Sequence, residues 1–280
     1  MSNVQPVRST LIIPFVAPLY RALEPYAYTL IRFAAGAIFV PHGVQKLFLG
    51  CATSMTGAGL GVLELAGGVL LALGILARPF ALLLILDVAA IIFANFAKGW
   101  LWTRGGVQYQ VFQLGMLLAV LIGGAGRHAA GQSLKLALDG ISASLNERLA
   151  PLAYAFARIY LALLILPSGY EKVFHDGAAR IAAGNVLKTG FYPPVFWAWV
   201  VAYLEFFGMI LLALGLLTRP IAFAFAVEMA VITVMIQMPN GYFWTSRGCE
   251  FALMLTVVCF ALVIGGGGRY SVDRRLGKEF

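Results

Sequence analysis

A chain of 280 residues that is 61% hydrophobic and only 11% charged carries more apolar surface than one water-soluble core of that length can bury. Its net charge of +8 would suit nucleic acid if the cations were clustered, but they are spread over the segments between apolar runs, so they report orientation in a membrane instead. Three cysteines, none in a Cys-x-x-Cys spacing, argue against a dithiol redox centre.

In chain order, residues 1–24 come first. Their apolar run Leu11 to Val16 is broken by Pro14, is too short to span, and lacks a small-residue cleavage site. With Arg8 and Arg21 on either side it reads as an arm along the membrane surface, not a removable signal. A spanning helix needs roughly 20 apolar residues to cross about 30 Å of hydrocarbon. Such runs are expected at 25–49, 59–76, 79–97 and 107–123 in a first half (25–148), and at 151–174, 195–217, 220–238 and 248–265 in a second (149–280). The fold class expected is therefore all-α: a polytopic membrane protein with eight transmembrane helices, arranged as two parallel four-helix repeats.

The halves repeat one another. Pro25, Tyr28, Arg32, Pro41, Gly43, Lys46 and Phe48 match Pro151, Tyr154, Arg158, Pro167, Gly169, Lys172 and Phe174. Glu64, Gly67, Leu73, Gly74, Arg78 and Pro79 match Glu205, Gly208, Leu214, Gly215, Arg219 and Pro220, with Asp87 opposite Glu228. Later still, Trp102-Thr103 matches Trp244-Thr245, Gln108 stands opposite Glu250, and Gly123 to Arg127 matches Gly265 to Arg269. The second half carries an insertion around Ala178 to Pro194, an amphipathic stretch expected to cap the bundle on the side away from the termini.

An even number of spans per half makes the repeats parallel and places both termini on one side. That side holds the larger share of Lys and Arg, which puts the termini in the cytoplasm and the chain in the inner membrane. The Arg-Pro turns at 78–79 and 219–220 fit tight connections with Arg at the headgroups.

Ionisable groups inside a span cost a few kcal/mol unless paired or hydrated, so they are the informative residues. Lys46 and Glu64 fall at one depth, as do Lys172 and Glu205, and are expected to pair. Such pairs either fasten helices together or line a pocket, and both readings stand. Asp87 and Glu228 fall nearer the midplane without a partner at equal depth, except that Arg32 and Arg158 could reach toward them. As protonatable carboxyls they suit proton or quinol handling. His42 is matched by Ser168, and Glu250 joins the polar set. A lone histidine is more often a hydrogen-bonded structural residue than a ligand, and no metal cluster, phosphate-cradling loop or nucleophile triad occurs. Trp100, Trp102, Tyr109, Tyr242, Phe243 and Trp244 read as an interfacial aromatic belt. Cys51 and Cys249 fall at one end of the bundle, where two buried thiols are the plainer reading and a disulfide the other.

Arg32-x3-Gly36 leading to His42-Gly43-x2-Lys46, Glu64 followed by Gly67-Gly68, Leu73-Gly74-x3-Arg78-Pro79 and the closing Gly-Gly-x-Gly-Arg resemble the DoxX/DoxD superfamily of four-helix membrane proteins. Arg158, Gly169, Glu171-Lys172, Gly190 to Pro193, Glu205 and Leu214-Gly215-x2-Thr218-Arg219-Pro220 carry the same resemblance through the second half. The tandem arrangement and the short external loop of the first half depart from the usual single unit. The resemblance implies a membrane component of a quinone-linked oxidoreductase system, of the thiosulfate:quinone kind. Its partners would be membrane lipid, a quinone and a redox subunit, since the chain has no flavin, haem or iron–sulfur signature of its own. The pocket residues expected are Arg32, His42, Lys46, Glu64, Asp87, Arg158, Lys172, Glu205, Glu228 and Glu250. Whether the chain is itself an enzyme stays open, and the alternatives are a small-molecule or lipid transporter and a membrane anchor for a soluble enzyme.

Overall fold

A computed structural model describes residues 10–11, 14–50, 54–102, 105–133 and 143–279. Cys51, and with it the expected choice between a disulfide and free thiols, lies outside the described residues; Cys249 and Cys259 are free and buried.

The architecture is all-α apart from a two-residue parallel pairing of Thr10–Leu11 with Lys278–Glu279. Among the described residues six apolar helices are long enough to cross a membrane: α1 (Ala17–Phe48), α2 (Met55–Leu73), α3 (Ala77–Lys98), α5 (Arg148–Gly184), α6 (Pro194–Leu214) and α7 (Thr218–Asn240). Two more, α4 (Gln108–Gly123) and α8 (Glu250–Gly265), are apolar but shorter. The helix of α1 is under way at Ala17, ahead of the expected start at Pro25, and α5 runs on past its expected end into the insertion. There Ala178, Ala182 and Val186 pack with Ala198 of α6, so the insertion folds back on the bundle.

The second helix of each half ends at a glycine in the left-handed region, Gly74 (φ 76°) and Gly215 (φ 71°), a conformation that costs glycine no Cβ clash. Pro79 and Pro220 then sit in the first turn of α3 and α7, where the missing N–H costs nothing. The arginines before them do not lie free among headgroups. Arg78 donates to the carbonyls of Leu121 and Ile122 at 3.1 Å, and Arg219 to Val263 at 3.0 Å, satisfying the ends of α4 and α8.

Each helix packs on the next in chain order, and α8 returns to α1, so the eight close into a ring. The fourth helix of each half lies against the first helix of the other: α4 on α5, and α8 on α1. Gly115 of α4 marks that seam, since a Cβ there would run into the Tyr160 ring of α5. The equivalent positions of the other seam carry Val257 and Ala34, so the bulky member has changed sides.

The outside is apolar. Only 22% of the most hydropathic window of α3 is buried within the protein, and Leu82, Leu83, Leu86 and Phe93 point outward. A surface of that kind is stable against lipid, not water.

Candidate functional site

The two Lys–Glu pairs form as the spacing predicts. Gly43 and Gly169 let α1 and α5 approach the backbone of Leu65 and of Glu205-Phe206 so closely that any Cβ would collide. One turn further on, Lys46 and Lys172 therefore overhang the second helix of their half. That helix is locally π-wound over Leu63–Gly67 and Leu204–Gly208, a geometry common at functional sites because the extra residue re-aims a side chain. The side chains it carries are Glu64 and Glu205. Lys46 Nζ donates to Glu64 Oε1 at 2.6 Å, and Lys172 Nζ makes the same bond to Glu205 Oε1. Both acids are almost wholly buried, whereas the lysine side chains keep about a quarter of their exposure (27% and 25%).

Arg32 and Arg158, which the sequence left free to reach toward Asp87 and Glu228, do not do so. Asp87 lies within electrostatic reach of Glu64 and Lys46, and Glu228 within that of Glu205 and Lys172. No donor from the described residues reaches Glu64 Oε2, Asp87 Oδ2, Glu205 Oε2 or either oxygen of Glu228. Buried carboxyl oxygens without protein donors are uncommon.

Arg32 and Arg158 are engaged elsewhere. Arg32 donates to the carbonyls of Ala72 (3.2 Å), Ala125 and His128 (3.0 Å). Arg158 donates to Leu212 (2.6 Å), Ala213 (2.9 Å) and Tyr270 (2.8 Å). They cap helix ends and loop carbonyls near the terminal face, away from the carboxyls.

The exchanged fourth helices complete each cluster with a residue from the other half. In the first, Glu250 of α8 reaches His42 of α1: Oε2 lies 3.0 Å from Nε2. Its other oxygen accepts from the Trp244 backbone N–H at 2.6 Å, the Tyr109 hydroxyl lies within electrostatic reach of the same carboxylate, and Gln113 donates to that hydroxyl at 2.9 Å. In the second, Gln108 of α4 donates to Ser168 of α5 at 3.1 Å. Ser168 is the counterpart of His42, and Gln108 of Glu250. The sites are thus pseudo-equivalent but chemically distinct: one holds an ionisable pair where the other holds a neutral one.

The aromatic residues expected to form a surface belt are partly interior. Tyr109 is buried and packs on Trp244 and Phe251, Trp102 also meets Phe251, and Phe243 lies edge-on to His42. Burial beside Glu250 pushes the Tyr242 phenol up. Among the described residues no group of His, Cys, Asp and Glu could hold a metal ion.

The second cluster opens into a cavity of about 330 Å³. Lys172, Gln108 and Ser168 bring donors to its wall beside Glu205, and Trp102, Phe225 and Phe251 bring flat apolar surface. Asp176 and Arg180 of the insertion, paired at 2.6 Å, stand at its edge. The sequence reading missed Gln108, Ser168 and Tyr109 as site residues.

A family model described as DoxX matches residues 27–97 and 153–238, one segment in each half. An uncharacterized protein of Haemophilus influenzae is 31% identical over 136 residues, which is 48% of this chain and 97% of that protein. No solved structure matches.

Proposed function

The chain belongs to the DoxX family, and from that premise we propose that it is a membrane component of a quinone-linked oxidoreductase system, with the second-half cavity receiving the quinone head group. The observation that carries this reading is the make-up of that cavity: three donors, the Glu205 carboxyl and aromatic walls in one space. A quinone has two carbonyl acceptors on a flat apolar ring, and its reduction takes up two electrons and two protons. Lys172 and Gln108 would bind the carbonyls, and the Glu205–Glu228 pair would pass protons to the oxygens. The electrons would come from the redox centre of a partner subunit.

The test is equilibrium binding of a short-chain quinone to the purified protein in detergent, read as quenching of tryptophan fluorescence. Saturable quenching at micromolar quinone, lost in Trp102→Phe and weakened at least tenfold (about 1.4 kcal/mol) in Gln108→Leu, is the expected result. Wild-type protein that shows no saturable quenching contradicts the reading.

The same proposal takes α4 and α8 as short spans. At 1.5 Å per residue their 16 residues cover about 24 Å, a mismatch that a bilayer accommodates by thinning. Eight crossings make the halves parallel repeats and place both ends of the chain together. The terminal side then carries Arg21, Arg78, Arg127, Arg148, Arg219, Arg269, Arg274, Arg275 and Lys278, against Lys46, Lys98, Lys172, Arg180, Lys188 and Arg247. The positive-inside rule puts that side in the cytoplasm, and the protein in the inner membrane. In a Cys51→Ser background, Lys188→Cys should react with an impermeant maleimide in intact cells, and Lys278→Cys only after permeabilisation. The reverse pattern would invert the topology.

One observation favours a second reading, a proton-coupled transporter of a small molecule or lipid: the first cluster brings His42, Glu250, Tyr109 and Gln113 together between the halves. Flux into liposomes abolished by Asp87→Asn would select it.

A further inference from the structure

A cavity of about 470 Å³ opens at the end of the bundle that carries the termini, away from both carboxyl clusters. Its wall contains both members of four repeat pairs: Pro25 and Pro151, Tyr28 and Tyr154, Gly126 and Gly268, Arg127 and Arg269. A single space can touch both copies of so many residues only if it lies where the two halves meet, on the axis that exchanges them. The tyrosines are fixed in matching ways: Tyr28 donates to the Gly124 carbonyl and Tyr154 to that of Gly266, each at 2.9 Å.

The charge of this space is lopsided. Arg127, Arg269 and Arg274 face one carboxylate, Glu24. Among the described residues no carboxylate lies within ion-pair distance of any of the three arginines. Arg78 and Arg219, which reach the ends of the helices just before Arg127 and Arg269, spend their guanidinium groups on helix-end carbonyls; among the described residues the three arginines of the cavity have no such acceptor. Guanidinium groups around a concave space at headgroup level suit phosphate oxygens, which they grip in bidentate fashion, and basic pockets between membrane helices are places where acidic headgroups lodge.

We propose that this cavity binds the head of an acidic phospholipid carrying two phosphodiesters, one phosphate toward Arg127 and the other toward Arg269. The two-fold relation between those arginines is the reason for two phosphates rather than one. Apolar walls from Pro25, Pro151 and the tyrosine rings leave room for the glycerol backbone, and the acyl chains leave along the outer apolar faces. Occupancy would hold the two halves together at the end where the exchanged helices α4 and α8 terminate.

Thermal unfolding of delipidated full-length protein in neutral detergent tests it, with diphosphatidylglycerol, phosphatidylglycerol, phosphatidylcholine or inorganic pyrophosphate added. Diphosphatidylglycerol should raise the midpoint by about 5 °C, phosphatidylglycerol by clearly less, and phosphatidylcholine not at all. The gain should vanish in Arg127→Gln/Arg269→Gln, whose side chains are on the surface and whose loss should leave the fold intact, and persist in Arg275→Gln. A wild-type protein that does not respond, a double variant that responds as wild type does, or an equal effect of pyrophosphate alone would overturn the lipid site. Equal shifts with phosphatidylglycerol and diphosphatidylglycerol would overturn the two-phosphate assignment.

Discussion

Replacing Arg158 with methionine should destabilise the protein more than any other single change at a charged residue. Its guanidinium is fully buried and donates to three carbonyls, those of Leu212, Ala213 and Tyr270. Methionine fills much of the volume but supplies no donor, and each buried acceptor left without a partner costs about 1–3 kcal/mol. The total, on the order of 5 kcal/mol, is comparable with the whole stability of many domains. Arg158→Met should therefore accumulate poorly and unfold early in detergent, whereas Arg158→Lys, with three donors on a shorter reach, should recover part of the loss. A methionine variant that melts like wild type would show that those carbonyls are satisfied in some other way.

The second large effect is expected at Lys172, and there stability and binding should separate. Lys172→Met strands the buried Glu205 carboxyl beside Glu228. Breaking a fully buried ion pair from one side costs about 3–5 kcal/mol; with the lysine side chain 25% exposed, a cost of about 2–4 kcal/mol is the fair expectation. Quinone binding should fall at least tenfold with it. Adding Glu205→Leu removes the stranded charge and should restore most of the melting temperature while leaving binding absent. Lys46→Met in the first half should lose similar stability and keep quinone binding, because the cavity belongs to the other cluster. If Lys46→Met and Lys172→Met impair binding equally, the assignment of the site to one half fails.

The Lys46–Glu64 and Lys172–Glu205 pairs were legible in the sequence because two independent signals agreed. The repeat put the same residue types at matching positions, and the rise per residue put them at one depth. The partners of Asp87 and Glu228 were not legible, for a physical reason. Depth was counted along regular α-helices, whereas Glu64 and Glu205 sit in π turns that re-aim them, and the arginines were already held by carbonyls that no sequence pattern displays. The contact of α8 with α1 was hidden too, since the two helices stand at opposite ends of the sequence and no spacing pattern links them.

A trace of that contact was nonetheless present. Of the aligned pairs, His42 and Ser168 differ, and so do Gln108 and Glu250. The charged members meet each other in one cluster and the neutral members in the other, although each contact joins different halves. Two mismatches that compensate across a duplication identify a contact between its copies. The tyrosine and tryptophan residues gave no comparable hint, because an aromatic cluster near a helix end looks the same in sequence whether it faces headgroups or, as Tyr109 does, the partner half.

That both polar clusters are finished by the opposite half is the claim on which the rest stands, and a double-mutant cycle on His42 and Glu250 measures it. His42→Ser and Glu250→Gln, alone and together, would be compared by thermal unfolding of the purified protein. His42→Ser alone leaves Glu250 buried without its partner and should cost about 2–3 kcal/mol. The double variant reproduces the Ser168–Gln108 arrangement that the second cluster already contains, so it should recover at least about 1 kcal/mol of coupling. Strictly additive losses would mean that α8 does not meet α1 at His42, and the ring of exchanged helices would fall with that result.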